Sequence, residues 1–106
     1  MPDQLDIHRN PGKNKTAIPF VVVVQSNQFR DAARTVVVPL VAAEAFGAPD
    51  SDAGPHFMVD GREVVLDPLQ ITNVPRDSLG APAGSLIGEE DRVVRSLDLL
   101  LSRAWR

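Results

Sequence analysis

Few residues in this chain could do chemistry, and they are scattered. His8 and His56 are its two histidines, and two isolated imidazoles supply neither a metal-ligand set nor a catalytic triad. Ser26, His56 and Asp60 could be imagined as nucleophile, base and orienting acid, but almost any sequence offers such a trio. Glu89, Glu90 and Asp91 could hold a metal or exchange protons, yet the same run is the ordinary acidic first turn of a helix. Arg30, Arg34, Arg62 and Arg76 could stabilise the phosphorane of an RNA-cleaving reaction, which also requires a cleft of positive potential. A Gly-rich phosphate loop, a Gly-x-Ser-x-Gly elbow and a His-x-x-x-His pair are all missing. The expectation is a binding protein with no catalytic residues, no metal and no cofactor.

Composition narrows the class further. Fourteen acids against eleven Lys and Arg give a net charge of -3, which argues against a surface built to neutralise nucleic-acid phosphates and against DNA binding by this chain alone. With no Cys there is neither a disulfide framework nor a thiolate site, as in proteins of a reducing cytoplasm. The longest apolar stretches, AIPFVVVV and VVVPLVAA, are too short to cross a bilayer and each contains a proline. A soluble, cytoplasmic protein without a membrane partner is expected. Residues 1–106 have the length of one compact domain, and 43% hydrophobic with only 5% aromatic residues implies a core of Val, Leu, Ile and Ala. Dimerisation would help so thin a core.

The elements that must position these residues are mostly strands, expected within residues 4–75. LDIHRN is a short strand closed by a Pro-Gly-Asn turn. Val21 to Val24 in TAIPFVVVVQS are β-branched throughout and fit a strand buried on both faces. Residues 34–43, RTVVVPLVAA, repeat that pattern. GAPDSDAGP is a loop, and HFMVDGREVVLD is a hairpin, because Asp60-Gly61 supplies the positive φ of a tight turn. LQITNVP is one more short strand, and Arg76 to Ala83 carries no regular signal. A helix is predicted over about 89–105: acids open it, and Val93, Leu97, Leu100 and Ala104 form a stripe that Val94, Leu101 and Trp105 widen. The fold class is mainly β, a small SH3-like barrel or curled antiparallel sheet with one C-terminal helix.

Several stretches together resemble the CcdB family of bacterial toxins. VVVVQSNQFRDAARTVVVPL resembles the family's hydrophobic strand, Gln-Ser, short polar connection, Arg and β-rich run ending in Pro-Leu; Gln25, Ser26, Arg34, Pro39 and Leu40 carry the likeness. VDGREVVLDPLQITNVP is similar to its hairpin and the Val-Pro that follows, and VVRSLDLLL to its terminal helix. The resemblance covers nearly the whole chain as a distributed pattern.

That resemblance implies a homodimeric, non-enzymatic toxin of a toxin-antitoxin pair. It would trap the cleaved complex of DNA with the gyrase A subunit and be neutralised by a cognate antitoxin. The family's best-studied members end in Trp-Gly-Ile, whose Trp stacks in gyrase. Registering the helix by LDLLL sets Ser102, Arg103 and Ala104 at that ending and leaves Trp105 and Arg106 as an extension. Gln28 and Phe29 fall where the family has two apolar gyrase-contacting residues. The implied partner surface is Gln28, Phe29, Asp98, Leu101, Ser102, Arg103, Ala104 and Trp105. Phe29 and Trp105 could instead be packed, and Asp98 could simply face solvent. Two alternatives keep the fold: a MazF-like endoribonuclease toxin, or a relative that binds antitoxin but has lost toxicity.

Overall fold

The chain alternates between short β-rich runs and turns, and the computed structural model, which describes residues 2–102, turns each run into a strand. In chain order these are β1 (Asp6–Arg9), β2 (Phe20–Val23), β3 (Arg34–Ala42), β4 (His56–Val59), β5 (Arg62–Leu66), β6 (Thr72–Pro75) and β7 (Pro82–Ser85). They form one antiparallel sheet of order β4-β5-β3-β2-β1-β7, with β6 also on β3. The sheet curls into a half-barrel. A short helix, α1 (Ala43–Phe46), follows β3, and the C-terminal helix is α2 (Glu90–Leu101).

β3 organises the sheet. β2 occupies one edge, while the other edge is shared between β6, opposite Arg34 to Val37, and β5, opposite Leu40 to Ala42. Pro39 sits at the changeover, the place where a proline's missing N–H disturbs a ladder least. Its carbonyl accepts from the Asp67 N–H at 3.2 Å. The β4–β5 hairpin turns on Asp60 (φ 51) and Gly61 (φ 77), the two positive angles a two-residue turn of matching twist requires.

Burial follows the period-two alternation of strands. On one face Ile7, Phe20, Val22, Val38, Leu40, Val64 and Leu66 join Val93 of α2 in the main core. On the other, Val21, Val23 and Val37 pack with Val74 and Leu79. All four residues of β2 are therefore buried, as expected of a β-branched run covered on both sides.

Two expectations need correction. β7 lies beyond residue 75, within and just past the stretch that carried no regular signal. Its sequence, PAGS, has no β-branched residue. It is held by β1, whose pairing shifts register between Ile7 and His8, with the Arg9 N–H donating to the Ala81 carbonyl at 2.9 Å. The described helix begins at Glu90 and ends at Leu101, with Ser102 already extended. Its inward stripe is also narrower: Val94 is 46% and Leu101 78% exposed. The buried position beside Val93 is instead a polar one, Ser96, whose Oγ donates to the Ala53 carbonyl at 2.8 Å and fastens α2 to the 47–55 loop. The predicted helical residues Arg103, Ala104 and Trp105 lie outside the described residues.

Candidate functional site

The connection between β2 and β3 is short, polar and tightly bonded. Ser26 Oγ accepts from the Gln28 N–H at 3.3 Å, starting a single 3-10 turn over Asn27–Phe29. Gln25 clips both ends: its Oε1 accepts from the Val36 N–H at 3.0 Å, and its Nε2 donates to the Phe29 carbonyl at 3.2 Å. From outside, the Gln4 N–H donates to Asn27 Oδ1 at 2.7 Å. A loop held at this many points presents its side chains in a fixed arrangement. Gln28 is exposed, and Phe29 is 55% exposed, so the core role considered for that ring does not hold.

Val24, which enters this connection, and Leu97 of α2 pack against one core cluster. Asp98 and Leu101 of α2 are exposed, and Ser102 is half-buried at the helix end. Gln28, Phe29, Asp98 and Leu101 are thus exposed positions, two on the turn and two on the helix. Arg103, Ala104 and Trp105 lie outside the described residues. The sequence likeness rested on Gln25 and Ser26 without giving them a role; the structure makes them the clip and cap of the turn carrying Phe29.

Among the described residues, the polar groups that could have done chemistry are engaged separately. Ser26 is a cap and Asp60 pairs with Arg9 at 3.1 Å. His56 lies 2.7 Å from Glu63 Oε2 and 3.0 Å from the Ala48 carbonyl. The imagined trio is therefore split among three structural tasks. Of the acidic run, Glu89 pairs with Arg92 at 2.9 Å, while Glu90 and Asp91 are exposed. Among the described residues no group of three or more metal-ligating side chains comes together.

A groove of about 470 Å³ lies between the free edges of the sheet, with β4 on one side and Ser85 and Leu86 on the other. Its charged groups are tied up in a clamp. Asp50 Oδ1 accepts from the His56 N–H at 2.8 Å and from Arg92 at 2.9 Å, while Arg92 stacks over the Phe57 ring at 4.6 Å. The His56 N–H bond, then the positive charge of Arg92, hold the Asp50 carboxyl below the ordinary aspartate range. A depressed carboxyl stabilises the fold above its unfolded value, and that contribution is lost as pH falls through the folded value. Asp50→Asn should therefore be less stable than the parent at neutral pH. The gap should close in acid, below the ordinary aspartate range, which chemical denaturation across pH would read.

The fold is a curled antiparallel half-barrel closed by one helix, with an exposed aromatic on a braced turn. Residues 4–102 match the family model described as CcdB protein, and the chain belongs to the CcdB family. CcdB proteins are toxins of toxin-antitoxin systems that inhibit DNA gyrase without being enzymes. No curated protein matched the chain in the sequence search. Among the described residues no helix is long and apolar enough to cross a membrane.

Proposed function

We propose that this chain is a cytoplasmic toxin that inhibits DNA gyrase by trapping the cleaved complex of gyrase A with DNA, and that a cognate antitoxin neutralises it. The observation that carries the reading is the exposure of Phe29 on a braced turn in a chain of the CcdB family. Gln28, Asp98, Leu101 and Ser102 complete the docking surface, with Arg103, Ala104 and Trp105 continuing it. Trp and Arg are enriched among residues that dominate binding energy, and the sequence after Leu101 supplies Arg103, Trp105 and Arg106.

The working form is a homodimer. Leu69 is 81% and Ile71 40% exposed, in and just after the turn Pro68–Gln70 that contacts α2. Large apolar side chains left in water at such a place suit a second copy. A monomeric mass at micromolar concentration in sedimentation equilibrium would overturn this part of the reading.

The activity is tested by DNA cleavage with purified gyrase, ATP and the protein, beside Trp105→Ala and a chain lacking residues 105 and 106. The parent should accumulate cleaved DNA. Loss of a Trp anchor costs about 2 kcal/mol, so roughly thirtyfold more of either variant should be needed. A folded parent that yields no cleaved DNA overturns the gyrase reading, and RNA cleavage without metal in its place would assign the endoribonuclease alternative.

A further inference from the structure

The arginines among the described residues are of two kinds. Arg9, Arg30, Arg62, Arg76, Arg92 and Arg95 each have a carboxylate oxygen within 4.0 Å. Arg34, exposed at the start of β3, has none among the described residues. Its guanidinium is held by neutral acceptors instead: Nε donates to Asn73 Oδ1, and Nη2 to the Asn73 carbonyl at 3.3 Å. A cation oriented by an amide keeps its full charge, and the entropy of fixing its long side chain is already spent in the monomer.

Its position is equally specific. Arg34 pairs with Pro75 and Val36 with Asn73, so the period of the strand sets Arg34 on the same face as Val38 and Leu40, the face α2 covers. It closes the connection that carries Phe29. The Arg76 N–H donates to the Ala33 carbonyl at 2.9 Å, and Arg76 Nη1 to the Arg30 carbonyl at 3.1 Å, fastening that connection to the segment after β6. A rigid exposed ring in the middle of one braced loop and an oriented, carboxylate-free arginine at its close therefore stand five residues apart.

We propose that Arg34 is the charged anchor of the docking surface and takes a carboxylate side chain of gyrase A, with Phe29 seated on adjoining apolar surface. This rests on the gyrase reading and deepens it by naming the chemistry of the contact. A guanidinium fork matches a carboxylate in two parallel hydrogen bonds. The chain's net charge of -3 and the exposed Asp3, Asp31 and Asp77 around the same loop deny a nucleic acid the extended positive field it needs.

The test is calorimetric titration of the full-length chain into gyrase A without DNA, at low and physiological salt, for the parent, Arg34→Ala, Arg34→Lys and Arg95→Ala. Melting temperatures check that each variant is folded. Arg34→Ala should bind about tenfold more weakly with a flatter salt dependence, as loss of a charged contact predicts. Lysine should restore only part of the loss, because an ammonium lacks the fork. Arg95→Ala, whose charge is balanced by Asp52 at 2.9 Å, should bind like the parent. If a folded Arg34→Ala binds like the parent, the inference falls while the gyrase reading stands. If the parent itself does not bind, both fall. If the loss appears only when DNA is added, the anion is a phosphate and the carboxylate assignment is overturned.

Discussion

Phe20→Ala should lower the free energy of unfolding by about 3–5 kcal/mol, the range found when a buried Phe is cut back to its Cβ. The ring is 1% exposed and sits at the start of β2 between two strands, paired with Leu40 of β3 and Arg9 of β1. Arg9 lies over it at 5.5 Å, so truncation also removes the ring that the guanidinium covers. Phe57 belongs to the same core cluster, and the residues packed around the two rings are otherwise aliphatic. The Val and Leu around Phe20 are held in strands on both sides and cannot collapse into the space. Small domains hold about 5–15 kcal/mol in total, so one substitution removes a large share of the margin. Urea denaturation followed by far-ultraviolet circular dichroism would show a midpoint displaced with the slope retained. A shift worth less than about 1 kcal/mol would mean that α2 closes over the cavity, contrary to a core this interlocked.

Gly80→Ala should be the most damaging change outside the core, at about 1–3 kcal/mol, although it adds one methyl group. A Cβ at this position would meet the Arg9 carbonyl oxygen at 2.5 Å and the Arg9 Cβ at 3.0 Å. Neither chain can retreat. Arg9 N–H is bonded to Ala81, Asn10 N–H to Pro19, and His8 Nδ1 lies 2.9 Å from the Gly80 carbonyl. Relief therefore requires breaking the approach of β7 to β1. Gly88→Ala is the matched control: nothing lies within 4 Å of its added methyl, and a change within about 0.5 kcal/mol is expected. Hydrogen exchange would localise the damage, with faster exchange at the Arg9 amide in Gly80→Ala and the parent rate in Gly88→Ala. Equal stability of the two variants would show that the close approach at Gly80 is not a constraint.

Core and docking residues bear differently on the proposed activity. Phe20 supports the face that α2 covers, so its loss loosens the docking surface only by loosening the fold. Phe29 and Arg34 lie outside the core, and replacing them leaves the buried apolar set intact. Toxicity lost with stability retained is thus the signature expected of the docking residues.

Much of the sheet was legible because its signals are local. Val21 to Val24 are β-branched and contiguous, which suits a strand packed on both faces, and Asp60-Gly61 meets the angular needs of a tight turn. The acids at 89–91 and the apolar stripe behind them placed α2 to within a few residues. β7 was not legible, because Pro-Ala-Gly-Ser has no pattern of its own and becomes a strand only where β1 offers its backbone. The width of the helix stripe was misjudged for a related reason. Spacing shows which residues share a side of a helix, but not how far the opposing sheet extends beneath them, and at Ser96 the facing group is a carbonyl that favours a hydroxyl.

By itself, then, the sequence determined the class of fold, the family likeness and the polar connection on which Phe29 stands, since each depends on residues near one another along the chain. Only the tertiary structure decided that Phe29 faces water, that Gln25 and Ser26 brace its turn, and that Arg34 is held by Asn73 with no carboxylate oxygen within 4.0 Å among the described residues. Exposure, bracing and charge balance are properties of neighbours brought together by the sheet, and strands far apart in sequence supply those neighbours.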